Sequence, residues 1–576
     1  MFSAGAIVPP IKSIVQPKQP PVPDGQEEDR MVKHPFDGDG AILGVTFSGD
    51  GTASARFRYV RTASMTKERK KGQKLYNGME ATRLEGASVA NGQGNDFPVP
   101  LFKHHLAPGL NKSRKNTSNT RCVYWSKKLL TLWEGGLPYK LDALGLSTEG
   151  RSQLGGVLRE SDPFSGAAVY CSKKDRMLFY SNKQDSGSSE LTLWEFNSKF
   201  RVAHSKEYKL PGFALISDFT ATEKYALFVQ PPVSTNGMSF MLNKDPSKSL
   251  KIDKASAVSL CLFVVLYCIV LYEPTSAVMM DVQFVSFLTA YYSNCSQLLH
   301  VIKRGSDSMK TISIPVDNLS DADLQFVNAY ESEDGSIIFD AIRSDSSKVS
   351  KTMKEWPWAK SMDDFAASAS KKSLWRYTVN VSGDGSVAKE CITDVPTYYG
   401  SVNPSVSGQA YQYAYAAVGA MGNENAPPQG IGKINVVSKT LEAWYPEEYE
   451  FCGEPMFAPK KSSESSTSSP NEDDGYIISV LLNGKEKKSE IIILDATNIE
   501  AGPVTRIPLG VTIPHGLHGC FAASDECAWS GEEIERRAKL ADKMESRANM
   551  WNEVKSDFSG LGLRLDDFEE IFGDIL

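Results

Sequence analysis

The stretch Thr120–Gly136, TRCVYWSKKLLTLWEGG, decides the fold class. It strings together short runs of β-branched, leucine and aromatic side chains, and turn residues punctuate and close it, as short strands joined by tight turns require. The same grammar recurs along the chain. RMLFYSNKQDSGSSELTLWEFN (176–197), KYALFVQPPV (224–233), GSIIFDAIRSDS (335–346), SLWRYTVNVSGDGSVAKECI (373–392) and GYIISVLLNGKEKKSEIIILDA (475–496) read the same way. Many short strands of this spacing, with few long amphipathic helical patterns between them, predict an all-β sandwich, barrel or propeller, and a multi-bladed architecture fits best.

Composition narrows the field. A chain of 576 residues has room for three or four domains at about 150 residues each, although propellers exceed that as one unit. Hydrophobic residues at 41% and aromatics at 10% supply a large core. A formal charge of -7 leaves no basic footprint, which argues against nucleic acid as a partner. The nine cysteines contain no CxxC pair, and no basic-then-apolar leader opens the sequence, so the thiols are expected reduced and the protein intracellular. Residues 1–33 read as a Pro-rich tail. An organelle-targeting peptide is the competing reading, and the acidic end of that segment speaks against it.

Two segments break the pattern. Ala255–Tyr272, ASAVSLCLFVVLYCIVLY, carries no charge over 18 residues, about the lower limit for crossing a bilayer. Lys248, Lys251 and Lys254 precede it, as in a cytoplasmic anchor. Three readings of 255–299 stay open: a membrane anchor, an apolar insertion, or sequence retained from an unspliced intron. The third has a local argument, since KSLKIDK and LLHVIKRG would join into one strand-turn-strand without the segment. The second break is 528–576, where Gly531–Phe558 carries helix formers with Ile534, Ala538, Ala541 and Met544 at helical spacing. It predicts an amphipathic helix packed on the body, or a helix for a partner.

Eight motifs in order sharpen the reading. HPFDGDGAILGVTFSGDGTASARFRYVRT (34–62), NTRCVYWSKKLLTLWEGGLPYKLD (119–142), ISDFTATEKYALF (216–228) and FVNAYESEDGSIIFDA (326–341) are followed by CGEPMFAPK (452–460), EDDGYIISVL (472–481), ILDA (493–496) and IPHGLHGCF (513–521). Together they resemble the carotenoid cleavage oxygenase family over residues 34–525, apart from the apolar segment. The family's N-terminal RNGPNP-like segment has no counterpart before His34. The resemblance implies a seven-bladed β-propeller over 34–527 with a non-haem Fe(II) on its axis. It also implies O2-dependent cleavage of a polyene double bond in a carotenoid or apocarotenoid, and an apolar tunnel opening toward a membrane surface. In the family, four histidines hold the iron and outer glutamates orient them, which fixes the imidazole tautomer.

Carried over position by position, that ligand set is mostly missing. The family's F-x-A-H-P is FSGAA here, so Ala167 fills the first slot; MHDF is ISDF, so Ser217 fills the second; and H-x-x-NAYE is QFVNAYE, so Gln325 fills the third. His518 in GLHG matches the fourth, whereas His515, three residues earlier, matches none. Glu134 and Glu454 match the supporting glutamates, and Asp394 stands where the family has a third. The glycines of FDGDG are expected in tight turns between strands.

These residues leave two classes of function. The first is a carotenoid-oxygenase-fold protein with oxidative cleavage reduced or lost, retaining carotenoid binding or non-oxidative conversion at a peripheral membrane surface. An unusual but active Fe(II) dioxygenase is a variant of it. The second is a membrane-anchored β-propeller scaffold for protein partners. A plastid is the compartment expected by analogy, or else a membrane-associated or cytoplasmic location.

Overall fold

The computed structural model describes residues 2–6, 37–47, 51–71, 75–76, 115–159, 162–184, 188–214, 216–231, 233–235, 250–252, 262–263, 295–316, 324–344, 371–420, 426–460, 471–513, 516–522, 536 and 539. The opening stretch forms the hairpin its pattern predicts. Arg121–Trp125 pairs antiparallel with Lys128–Leu132, so that Trp125 faces Lys128. Ser126 and Lys127 take φ of 50° and 61°, a two-residue turn whose twist matches that of the strands. Tyr139–Leu141 and Thr148–Arg151 complete a four-stranded sheet in chain order.

Each later strand region builds a similar sheet. Val169–Cys171, Arg176–Gln184, Ser188–Asn197 and Val202–Pro211 make the next. Phe219–Ala221, Tyr225–Gln230, Cys295–Lys303 and Met309–Val316 follow. Then come Gln325–Glu331, Ile337–Ser344, Lys372–Val379 and Val387–Thr393, and after them Thr397–Val402, Tyr413–Val418, Gly430–Asn435 and Thr440–Trp444. Gly475–Asn483 pairs on one edge with both Glu450–Cys452 and Met456–Pro459, and Lys488–Asp495 and Pro503–Pro508 extend its other edge. In the last sheet the two ends of the chain meet. Ala53–Tyr59, Gly40–Phe47, Phe2–Ala6 and Leu517–Cys520 lie side by side. A short three-stranded sheet, Val233–Thr235 with Leu250–Ile252 and Leu262–Phe263, stands outside this series.

The buried side chains show how the sheets are arranged. Val123 and Leu130 of the first sheet pack with Phe179 and Phe196 of the second. Leu191 and Tyr180 pack with Phe219 and Phe228 of the third, and Leu227 and Val301 with Phe339 and Tyr377 of the fourth. Ile342 and Leu374 meet Ala414 and Ile434, Tyr415 and Ile431 meet Ile477 and Leu481, and Ile478 and Val480 meet Leu43 and Val45. Ile42 and Val60 return to Cys122 and Leu129, where the series began. Each sheet is therefore buried between two neighbours and the series closes on itself: the chain is an all-β propeller with few helices. A fully buried Leu or Phe in such an interface contributes about 1.5–3 kcal/mol.

Closure has a consequence for the axis. One edge strand of each sheet touches an edge strand of a neighbour: Leu517–Cys520 meets Arg121–Trp125, Val169–Cys171 meets Phe219–Ala221, which meets Gln325–Glu331, which meets Thr397–Val402. These are the inner strands. Asn328 of the NAYE motif ties them down, donating to the carbonyls of Val406 and Gln409 while accepting from the Gly408 amide. Glu331 accepts from the Thr222 hydroxyl at 2.6 Å and the Lys224 amide at 2.8 Å.

Some expectations change against this frame. The FDGDG segment uses Gly40 for a close approach rather than a turn: its amide donates to Thr117 O, and a Cβ would lie 2.3 Å from Ser118 O. Cys295–Lys303 is a strand of the third sheet, so residues 295–299 of the apolar segment belong to the propeller. Its partners are Tyr225–Gln230 and Met309–Val316, whereas Leu250–Ile252 pairs with Val233–Thr235. Residues 253–261 and 264–294 lie outside the described residues. No helix among those described is long and apolar enough to cross a membrane. Of the Pro-rich 1–33, Phe2–Ala6 is a strand. Of the C-terminal helix, Arg536 and Lys539 alone are described, helical and exposed.

Candidate functional site

The four family-matched positions stand at the beginnings of inner strands. Ala167 and Ser217 each lie two residues ahead of one, Val169–Cys171 and Phe219–Ala221. Gln325 is the first residue of Gln325–Glu331, and His518 the second of Leu517–Cys520.

His518 sits on a left-handed backbone, φ 51°, costly for a residue with a Cβ. Glu454 holds the turn in place: one carboxylate oxygen accepts from the Gly519 amide at 2.7 Å, and the other lies 3.6 Å from His518 Nδ1. The imidazole remains accessible at 29% of its side-chain surface. His515 lies outside the described residues.

Glu134 follows the first hairpin and turns back on it. The Thr120 hydroxyl donates to it at 3.0 Å. Its carboxylate rests on Gly166, where a Cβ would come within 2.0 Å of Oε1, so a larger residue beside Ala167 would push that carboxylate aside. Burial raises the Glu134 carboxyl above the ordinary carboxylate range; backbone and Thr120 hydrogen bonds and the fields of His518 and Arg121 oppose that shift. Its surface is nonetheless accessible. Asp218, beside Ser217, behaves alike. Burial raises it against the fields of Arg121 and His518, and one oxygen accepts from the Phe326 amide at 3.0 Å.

Ala167 is 2% exposed, its amide bonded to the Ser165 hydroxyl, and it presents no donor atom. Ser217 is exposed and Gln325 half-buried. Asp394 is directed elsewhere, with 64% of its side chain exposed and its carboxylate 2.6 Å from the Lys371 ammonium. The geometry thus brings Glu134, Asp218, Glu454 and His518 into one electrostatic neighbourhood. Among the described residues no three His, Cys, Asp or Glu side chains approach closely enough to hold a metal ion.

Three residues at this site were not singled out from the sequence. Arg121 opens the first inner strand, and its field reaches Glu134, Asp218 and the Tyr180 hydroxyl. Tyr180 donates to Ile216 O at 2.8 Å, one residue before Ser217. Asp218 lies inside the ISDF motif, one residue after the position that the resemblance nominates. A visible signal existed for Arg121, a single cation in the apolar run RCVYW.

Comparison with known proteins agrees with this architecture. The family described as retinal pigment epithelial membrane protein (RPE65) matches residues 19–523. The apocarotenoid-15,15'-oxygenase of Synechocystis is 28% identical over 506 residues, covering 86% of this chain and 87% of the relative. Carotenoid cleavage dioxygenase 7 of Arabidopsis thaliana, a chloroplastic protein, is 24% identical over 85% of this chain and 82% of its own. Among solved structures, the cobalt-substituted Synechocystis oxygenase superposes with a TM-score of 0.69 at 26% identity, covering 90% of this chain and 91% of that one. With the ring of sheets and the motif order, these findings establish that the chain belongs to the RPE65 family of carotenoid cleavage oxygenases.

Proposed function

We propose that this chain binds a carotenoid or apocarotenoid on the axis of a seven-bladed propeller, one blade for each sheet of the closed ring, with oxidative cleavage reduced or lost. One observation carries the reading: three of the four family-matched positions offer a methyl group, a hydroxyl and an amide, and His518 alone offers an imidazole. The family's activity rests on a non-haem Fe(II) that binds and activates O2. Neutral hydroxyl and amide oxygens are poor substitutes for imidazole toward Fe(II), and a methyl group contributes nothing. Loss of one outer partner alone costs about 10- to 100-fold in metal affinity, so loss of three direct ligands removes tight binding. The residues present do not fit a four-histidine iron centre.

What remains is suited to binding. Glu454 fixes the turn that carries His518, Glu134 and Asp218 add acids to the same neighbourhood, and the ring of apolar interfaces keeps the axis rigid. Peripheral contact with a membrane would deliver so apolar a ligand, and a plastid is a compartment where one is made. Expression in carotenoid-producing bacteria tests the reading. Pigment is expected to co-purify, its polyene absorption intact, with no stoichiometric iron. Bleached cells, or one iron per chain that is lost with His518→Ala, would overturn it.

A further inference from the structure

We propose that Cys122 and Cys520 form a reversible disulfide that staples the last inner strand of the ring to the first. Their sulfurs lie 3.9 Å apart, although 398 positions separate the residues in the chain. Cys122 is the second residue of Arg121–Trp125, and Cys520 is the last of Leu517–Cys520. The two strands belong to different sheets. Leu517–Cys520 has its ladder partner in Phe2–Ala6, where Cys520 stands opposite Phe2. It touches Arg121–Trp125 across the seam where the ring closes, and there Cys520 packs on the cluster that holds Cys122, Ile42 and Leu129. A bond between the sulfurs crosses that seam covalently. It also anchors the turn of His518, whose carbonyl lies 3.8 Å from the Cys122 thiol.

Cys171 shows the contrast: its thiol is turned to the Arg304 guanidinium and the Thr222 carbonyl. A disulfide needs its sulfurs about 2.05 Å apart, so Cys122 and Cys520 must draw together. Arg121–Trp125 is held along its length by Lys128–Leu132. Leu517–Cys520 is four residues long, with an irregular register against Phe2–Ala6, so it is the strand that moves. Exposure sets the order of events. Cys122 is 1% exposed and Cys520 is half-buried, so a small disulfide such as oxidised glutathione meets Cys520 first. The Cys520 sulfur gives up its proton and bonds to one glutathione sulfur, and the other glutathione leaves as a thiol. Cys122 then bonds to the Cys520 sulfur, and the second glutathione leaves as a thiol with the proton that Cys122 gives up. The protein loses two electrons and two protons, and oxidised glutathione gains both. In a reducing compartment such a bond is transient, which makes the pair a sensor of oxidant rather than a permanent clamp.

The full chain, equilibrated in glutathione buffers of graded ratio, alkylated and digested with trypsin, provides the test. The expected product joins the peptide 122–127 to the peptide 507–536, and its fragmentation distinguishes Cys520 from Cys527 in the second. Because the fold holds the sulfurs together, the link should form in buffers at least ~10-fold more reducing for the folded chain than for the urea-unfolded chain. No link at full oxidation, or the same midpoint in both states, would overturn the proposal. Oxidation should also raise the melting temperature of the native chain, since the bond closes a long loop in the unfolded state, and leave that of Cys520→Ser unchanged. An equal rise in both, or a fall in the native chain, would overturn the staple. Cys520 is the half-buried partner, so Cys520→Ser serves even where Cys122→Ala does not fold. These readouts use neither pigment nor metal, so failure of the polyene reading leaves them standing.

Discussion

Two histidines show how differently the same side chain is used in the sheets and on the axis. His300 is fully buried in the third sheet and fully satisfied: Nε2 lies 2.7 Å from Gln230 Oε1 and Nδ1 lies 2.9 Å from Thr311 Oγ1. Gln230 donates its amide to Pro211 O, which fixes its own orientation and so makes Nε2 of His300 the donor. His518 has an accessible ring, a carboxylate at 3.6 Å and a strained backbone. The sheet closes both nitrogens of His300 on partners, whereas the axis leaves the ring of His518 accessible. Open donors and acceptors in a rigid frame are what a binding site needs, and closed ones are what a frame needs.

The largest test of that contrast lies in the frame. Asp340 is fully buried, takes both bonds of Arg376 and accepts from the Tyr411 hydroxyl at 2.6 Å. Asp340→Ala leaves a buried guanidinium uncompensated and should cost about 3–5 kcal/mol in urea unfolding. A loss under 1 kcal/mol would mean that water reaches this network and that the frame is as open as the axis.

His300 gives a pH-dependent version. Burial lowers its pKa to about 4, below the ordinary 6.5. Between those values the unfolded chain binds the proton that the folded chain refuses, so stability rises with pH across the window. The contribution is complete above about 6.5 and is lost as pH falls toward about 4, an interval corresponding to about 3 kcal/mol. His300→Gln should therefore show a flatter stability profile than the native protein between pH 6.5 and 4. Parallel profiles would remove His300 from the account.

The smallest effect belongs to the axis. His518→Gly gives up little burial and releases a left-handed residue with a Cβ, so its unfolding free energy should stay within about 1 kcal/mol of the native value. His518→Ala keeps the strain and should be the less stable of the two. The reverse order would show that His518 is a core histidine like His300.

Legibility followed the same division. Each quoted stretch became strands where its alternation of apolar runs and turn residues placed them: Arg121–Trp125 with Lys128–Leu132, Arg176–Gln184 with Ser188–Asn197, and Gly475–Asn483 with Lys488–Asp495. The ring was readable only as a family resemblance, because closure depends on residues hundreds of positions apart, such as Cys122 beside Cys520. At the candidate site the motifs nominate His518, Glu134 and Glu454, and the structure sets Glu454 3.6 Å from the His518 ring. Arg121 is not among them, because a lone arginine in an apolar strand reads as a surface or edge residue until neighbouring sheets surround it. Asp394, nominated by its motif position in the same way, has its carboxylate 2.6 Å from the Lys371 ammonium.

By itself, then, the sequence determined the all-β class, the family, and the chemical poverty of the ligand positions, because strand patterning and residue type are local properties. The tertiary structure alone decided which charges share the axis. Burial and field act through space, and only the closed ring brings Glu134, Asp218, Glu454 and His518 into one neighbourhood.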